Sequence, residues 1–185
     1  MKQSASRKPS AAPAWSVPVT VAAVPETGQR LDLEADGPAR DAIAKIAGLA
    51  ALPRFKAGFD LTRHGAEGLC VAGRVSATVV QNCVVTLEPI ESEIDEAVDL
   101  VFLPDVAPPA EAVELHAFDT DEPPEAIRDG VIDLGAVATE FLILGLDPYP
   151  RKPGAVFDAP PAGDPVSHPF AVLAALKKGD APKDP

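Results

Sequence analysis

The chain has 185 residues, of which 46% are hydrophobic and 5% aromatic, so it can build one aliphatic core with tails but hardly two domains. Its 28 acidic residues outnumber the 16 basic ones, which gives a net charge of −12. Such a charge repels phosphates, which argues against broad nucleic-acid binding and favours a basic protein as the partner. No apolar run follows the basic N-terminus, and no uncharged apolar stretch is long enough to span a membrane, so we expect a cytoplasmic protein.

The first elements in chain order are an arm and a strand. Residues 1–14 are rich in Ser, Ala, Pro and Lys, a composition typical of disorder. Apolar residues alternate from Trp15 to Val21, which predicts a strand. Pro18 cannot donate to a ladder of backbone hydrogen bonds, so we expect this strand at the edge of a sheet.

A helix is predicted near 39–51, in the stretch "DGPARDAIAKIAGLAALP". Pro38 suits the first turn of a helix, where no N–H is needed, and Pro53 is expected to stop the helix. The predicted apolar stripe consists of Ile43, Ile46, Ala47 and Ala50.

Three runs with a two-residue period predict the sheet. Apolar residues alternate over 55–61, 69–79 and 94–102, and the turn "RHGAEG" joins the first two runs. In the last run, Asp95 and Asp99 lie on the face opposite to the apolar residues. Short connections and one polar face indicate an antiparallel meander.

The C-terminal half begins with an acidic stretch. Residues 104–130 hold eight acids and one Arg and predict a solvated loop, in which "AVELHAF" is a candidate strand. A helix near 134–146 is expected to start at Asp133, whose carboxylate can cap it, and to end before Pro148 and Pro150. Its predicted stripe is Leu134, Val137, Phe141 and Leu144.

Together these elements predict an α+β fold. We expect a twisted antiparallel sheet of about five or six strands, a usual size for a sheet, with the helices packed on one face. The predicted organisation is a disordered arm (1–14), an α+β body (15–150) that includes the acidic loop, and a Pro/Gly-rich linker with a short C-terminal helix (151–185).

The cysteines and histidines do not have the spacing of a metal site. Cys70 and Cys83 are far apart in the sequence, and His64, His116 and His168 are scattered, so no two potential ligands have pair spacing. We therefore expect no metal and no cofactor. The sequence around Cys83 also supplies no cation to activate a thiol, so a small buried side chain is the favoured interpretation.

Carboxylates are frequent between Glu88 and Asp99, and a pair of them could act as acid and base in a hydrolase. The sequence indicates no basic or metal partner for such a pair. A solvated sheet face is therefore the favoured interpretation, because charge runs are usually exposed.

Three separated stretches carry a family resemblance: "NCVVTLEPIESEI", "GVIDLGAVATEFLILGLDPYP" and "HPFAVLAALKK". In this order and spacing the chain resembles the large ribosomal RNA subunit accumulation protein family, also called the YceD family. The resemblance covers roughly residues 15–178.

The chain departs from that family around Cys83. Many members carry Cys-x-Arg-Cys-Leu where Cys83 to Leu87 read Cys-Val-Val-Thr-Leu, and some have further cysteines where "RKPGAVF" stands here. The resemblance thus implies a metal-binding version in relatives whose ligands this chain has lost. Cys83 is interpreted as a relic of that motif.

The resemblance implies a non-catalytic bacterial factor in ribosome biogenesis that supports accumulation or processing of 23S rRNA. The charge narrows the expected partner to a basic protein of the large-subunit assembly or rRNA-processing machinery, with tight direct binding of nucleic acid not expected. The segment 83–90 and the C-terminal helix are the predicted contact surfaces. The candidate residues are Cys83, Leu87, Glu88, Pro89, Asp133, Leu134, Glu140, Pro148, Pro150, Pro169, Phe170, Leu173, Leu176 and Lys177.

Two other functions stay open. One is the acidic-pair hydrolase, and the other is a plain protein-binding module with no ribosomal role. Whether the C-terminal helix docks onto its own domain or onto a partner is also open, since a helix this short is marginal on its own.

Overall fold

Long antiparallel strands form the centre of the fold. The computed structural model describes residues 13–104 and 124–157. The elements in chain order are β1 (Pro18–Thr20), a 3-10 turn (Val21–Ala23), β2 (Gln29–Glu34), α1 (Gly37–Ala47), β3 (Ala51–His64), β4 (Gly68–Asn82), β5 (Pro89–Pro104), β6 (Glu125–Ile127), β7 (Val131–Asp133) and α2 (Leu134–Leu144). The chain divides into two compact units, 1–153 and 154–185, and all of these elements belong to the first.

The main sheet has five strands in the order β2-β3-β4-β5-β6. The first four are antiparallel neighbours, with Phe59 opposite Gly73 and Val71 opposite Leu100. β6 pairs in parallel with the end of β5, so the sheet is mixed and the expectation of a purely antiparallel sheet was wrong in this respect. A parallel neighbour requires a long connection, and residues 105–124 supply one.

The N-terminal strand lies outside this main sheet. Among the strands that the structure describes, β1 pairs only with β7, in a separate two-stranded sheet with Pro18 opposite Asp133. Both strands of a two-stranded sheet are edge strands, so the predicted edge position of β1 is confirmed, although its sheet is not the main one. The Trp15 ring packs edge-on against Phe55 with ring centroids 5.1 Å apart, which ties this segment to the core.

Helix α1 is shorter than predicted. Asp36 caps it by accepting a hydrogen bond from the Ala39 N–H at 2.9 Å, and it ends at Gly48 in the left-handed conformation (φ 67°). Glycine adopts this conformation at no steric cost, so the helix stops there and Pro53 lies inside β3. Ile46 is 64% exposed, which corrects its assignment to the buried stripe.

One face of the sheet forms the core, and both helices pack into it. The alternation in β3 is confirmed, because Phe55, Ala57, Phe59 and Leu61 are all buried. The buried residues of the helices complete the same cluster, namely Ala39, Ile43 and Ala44 of α1 and Leu134, Val137, Ala138 and Leu142 of α2. The main sheet thus has a buried inner face and an outer face of charged residues, as predicted.

Helix α2 starts where the sequence predicts. The Asp133 carboxylate accepts from the N–H groups of Gly135 and Ala136, and the helix ends at Leu144, before the prolines. Leu144 is 71% exposed and Phe141 only partly buried, so the inner stripe is narrower than predicted. Neither helix of residues 13–104 and 124–157 has the length and apolar character that a membrane-spanning helix needs.

The acidic stretch is not a loop throughout. Residues 125–127 form β6, because Glu125 pairs with Phe102. The remainder of that stretch at 105–123, with the candidate strand "AVELHAF", lies outside the described residues. So do the N-terminal arm up to residue 12 and the C-terminal helix.

Candidate functional site

Cys83 begins a tight turn between β4 and β5, here called the Cys83 turn (residues 83–88). Its backbone N–H donates to the Glu88 carbonyl at 2.8 Å, and its carbonyl accepts from the Leu87 N–H at 2.9 Å. Leu87 adopts the left-handed conformation (φ 61°), which is uncommon for a residue with a branched side chain. The turn is therefore closed by its own backbone, and Pro89 follows it as the first residue of β5.

A second segment closes over this turn. After α2 the chain returns to the Cys83 turn. Residues 147–153, which contact this turn, are here called the return segment. The Pro150 carbonyl accepts from the backbone N–H of Val84 at 2.9 Å. The Asp147 carbonyl accepts from the side-chain amide of Gln81 at 2.9 Å. Pro148 and Pro150 cannot continue a helix, so α2 does not extend into this segment.

The Cys83 sulfur lies between the two segments. It is fully buried, and it accepts hydrogen bonds from the backbone N–H groups of Val85, Thr86 and Lys152, each at 3.4 Å. The N–H of Lys152, together with Thr86, lowers the pKa of the Cys83 thiol from 9.0 to about 6. Hydrogen bonds to a charged group favour the charged form, so these donors favour the thiolate over the thiol.

The predicted burial of Cys83 is confirmed, but its neighbourhood was not predicted. Its place between the turn and the return segment gives the sulfur polar contacts that a packed apolar side chain lacks. Little in the sequence indicated these contacts to the sulfur, because Lys152 is far from Cys83 in the chain. Val84 and Leu87 beside it are 45% and 75% exposed, so the turn presents two apolar side chains to solvent.

A solvent-exposed ion pair also joins the return segment to the Cys83 turn. Lys152 Nζ lies 2.9 Å from Glu88 Oε2, and the Thr86 hydroxyl donates to the same oxygen at 3.2 Å. Hydrogen bonds from Lys152 and Thr86 lower the pKa of Glu88. Both charged side chains are 53% exposed, so solvent screens the pair and its contribution to stability is small.

The other candidate residues lie apart from this turn. Asp133 sits at the junction of β7 and α2, where it also accepts from the Ser16 hydroxyl at 2.6 Å and the Val17 N–H at 2.8 Å. Leu134 is buried, whereas Glu140 is exposed beside an apolar groove that Ile143 and Leu144 help to line. Pro169, Phe170, Leu173, Leu176 and Lys177 lie outside the described residues.

The contact between Cys70 and His64 was not predicted from the sequence. Across the β3–β4 hairpin, Cys70 Sγ lies 3.7 Å from His64 Nδ1. Burial, followed by the charge of Asp99, raises the pKa of the Cys70 thiol, which is the opposite of what a nucleophile requires. The hairpin register, which pairs His64 with Gly68, could have revealed this proximity.

Residues 13–104 and 124–157 contain no group of three or more His, Cys, Asp or Glu side chains arranged to hold a metal ion. Both cysteines are free thiols.

The outer face of the main sheet carries paired charges. Each of its four basic side chains in the described strands lies within 4 Å of a carboxylate. These pairs are Arg30 with Asp32 and Asp60, Arg54 with Glu93, Lys56 with Glu34, and Arg74 with Asp95. Two further acids of β5, Glu91 and Asp99, make no ion pair within the described residues, so this face is negative overall.

A family comparison decides where the chain belongs. The model described as "Large ribosomal RNA subunit accumulation protein YceD" matches residues 71–177, more than half of the chain. The chain belongs to the YceD family. No curated protein and no solved structure gives a significant match.

The YceD match covers most of β4, the Cys83 turn, β5, α2 and the return segment. The resemblance seen in the sequence is confirmed, although it was expected to extend further towards the N-terminus. The family description points to a role in accumulation of the large ribosomal RNA subunit, and it describes an accumulation factor without naming a reaction.

Proposed function

We propose that this YceD chain supports accumulation and maturation of 23S rRNA as a non-catalytic factor that contacts a basic protein of the large-subunit assembly or rRNA-processing machinery. Membership of the family carries the ribosomal part of the proposal. The choice of a basic protein as the partner is supported by the net charge of −12, which favours a cationic partner.

The ion pairs on the outer face support contact with protein over contact with RNA. Binding to phosphates gains free energy when free Lys and Arg side chains displace counterions. On the described outer face, Arg30, Arg54, Lys56 and Arg74 are already matched by carboxylates. A phosphate arriving there would have to compete with these carboxylates and would meet the uncompensated acids of β5.

The same arrangement weighs against the hydrolase alternative. The acids considered for that alternative lie between Glu88 and Asp99. Glu88, Glu93 and Asp95 are each paired with a cation, and their side chains are 53%, 62% and 60% exposed. Acid–base catalysis by carboxylates relies on pKa values tuned by burial and neighbouring groups, and this face lacks that burial.

The proposal is tested by depleting the protein from its own cells and measuring the ratio of 23S to 16S rRNA. We expect the ratio to fall on depletion and to recover when the full chain is expressed again. An unchanged ratio in depleted cells would rule out the ribosomal role and leave a plain protein-binding module.

A further inference from the structure

Among residues 13–104 and 124–157, one long edge of the main sheet has no neighbour over most of its length. β5 pairs with β4 from Pro89 to Phe102, but on its other side β6 covers only Phe102–Pro104. Alternate residues of such a strand direct their N–H and C=O groups away from the sheet. Within the described residues, no other backbone segment bonds to the stretch from Glu91 to Val101.

We propose that this free edge of β5 accepts an extended, Lys- and Arg-bearing segment of a partner protein as an additional strand of the sheet. The proposal rests on the proposed function, since it identifies the surface and the chemistry of the basic partner. Main-chain hydrogen bonds would supply affinity, and side chains at alternate positions would supply specificity, as in other cases of strand addition.

The charge of β5 selects a basic segment. The strand carries five acids (Glu91, Glu93, Asp95, Glu96 and Asp99) and no Lys or Arg. Glu93 and Asp95 are matched by Arg54 and Arg74, whereas Glu91 and Asp99 are exposed and make no ion pair within the described residues. A basic side chain on an incoming strand would lie opposite or diagonal to these acids, where opposite charges attract.

The same charges disfavour two other occupants. Antiparallel pairing of two copies of β5 about Asp95 would place Asp95 opposite Asp95 and Glu91 opposite Asp99, and like charges directly opposite are destabilising. Residues 105–123 of this chain are themselves acidic and contain no Lys or Arg, so they would meet the same repulsion.

Pro124 also disfavours a longer β6. β6 runs parallel to β5, so a longer β6 would have to begin before Glu125. The residue at that position is Pro124. Proline has no N–H to donate, so β6 cannot readily be prolonged along the free part of β5.

Charged edge strands also protect proteins from unwanted pairing. An edge that only protects would reject every added strand, whereas an edge that binds a partner would accept a basic strand. The two are separated by a fluorescein-labelled peptide of about ten alternating Lys and Val residues, long enough to cover the free edge. Its binding to the full chain is followed by fluorescence anisotropy, with hydrogen exchange of the β5 amides as the readout of position.

We expect the peptide to bind and to slow exchange in β5 but not in β2, the opposite edge of the sheet. A peptide of the same charge with alternate amides N-methylated should bind much more weakly, because it cannot complete the ladder. Equal binding of both peptides would show electrostatic attraction only and would overturn strand addition, as would an absence of binding.

Variants locate the contact. The double variant Glu91→Gln/Asp99→Asn should weaken peptide binding about three- to tenfold, as expected for two exposed charge contacts. The control Glu26→Gln/Asp41→Asn removes two exposed acids away from this edge and should bind as the wild type does. Equal weakening by both double variants would overturn the assignment to β5.

Failure of this inference can be distinguished from failure of the proposed function. If depletion lowers the ratio of 23S to 16S rRNA but the peptide does not bind β5, the ribosomal role stands and the edge is not its surface. If the peptide binds β5 but depletion leaves the ratio unchanged, the edge is a binding surface with another purpose.

Discussion

The backbone N–H of Lys152 lies 3.4 Å from the sulfur of Cys83, although 69 residues separate the two in the sequence. This contact joins the Cys83 turn to the return segment and places the sulfur among backbone donors. These donors lower the pKa of the buried Cys83 thiol.

The first prediction concerns the proton affinity of the two thiols. Titration of protein labelled at the cysteine β-carbons, followed by carbon NMR, should show Cys83 losing its proton near pH 6. Cys70 should titrate above 9.0, because burial and Asp99 raise the pKa of that thiol. The variant Cys83→Ser assigns the resonances, and two coincident titrations above pH 8 would contradict the contact as described.

The second prediction isolates the Lys152 backbone donor. Lys152→Pro removes the N–H that contributes most to lowering the pKa of Cys83, so this pKa should rise towards its usual value. Lys152→Ala removes the ammonium group but keeps the N–H, and should leave the pKa of Cys83 nearly unchanged. A larger rise with Lys152→Ala than with Lys152→Pro would assign the effect to charge instead.

The third prediction follows from linkage between protonation and folding. Because the pKa of Cys83 is lower in the folded state, the thiolate stabilises the fold fully above pH 9 and loses this effect as the pH falls through about 6. The difference in unfolding free energy between wild type and Cys83→Ala should therefore grow from pH 6 to pH 9. Urea unfolding across this range measures it, and a constant difference would refute the linkage.

The fourth prediction concerns two glycines on neighbouring strands. A Cβ at Gly73 would collide with the backbone carbonyl of Gly58, whereas a Cβ at Gly58 would meet only the flexible side chains of Asp32 and Arg30. Gly73→Ala should therefore cost about 3 kcal/mol of unfolding free energy, and Gly58→Ala about 1 kcal/mol or less. Thermal and urea unfolding compare the two variants, and equal losses would place β3 and β4 further apart than described.

The fifth prediction compares the two helix caps. Asp133 accepts from two helix N–H groups and also from Ser16 and Val17, whereas Asp36 accepts from Ala39 alone. Asp133→Ala should therefore destabilise by about 2 kcal/mol and Asp36→Ala by about 1 kcal/mol. The reverse order in urea unfolding would mean that β1 is not held by Asp133.

Asp133 also has a pH dependence. Burial alone would raise its pKa, but the hydrogen bonds from Ser16, Val17, Ala136 and Gly135 outweigh burial and lower it below 3.8. Its contribution to stability is thus present above pH 3.8 and is lost as the pH falls through the lower folded value. The cost of Asp133→Ala should shrink in strong acid.

Local pattern was sufficient to predict the central strands and the start of α2. The two-residue period identified Phe55 and Phe59 as buried, and the Asp133 cap needed only its place before an apolar run. The end of α1 was also within reach, since Gly48 after the last helical residue is a common stop signal.

The rest depends on long-range closure of the chain. That β1 pairs with β7, that β6 runs parallel to β5, and that Lys152 reaches Cys83 all follow from contacts between distant segments. No local period or spacing encodes these contacts. The candidate site was therefore only half predictable: the sequence placed Cys83 inside, and the fold supplied the donors around its sulfur.

The most direct measurement compares two ligands for the immobilised full chain at near-physiological salt: protein-free 23S rRNA, and the proteins extracted from purified large subunits. We expect the chain to retain a basic protein from the extract and not to retain the rRNA. Tight retention of rRNA, with none of the proteins retained, would contradict it.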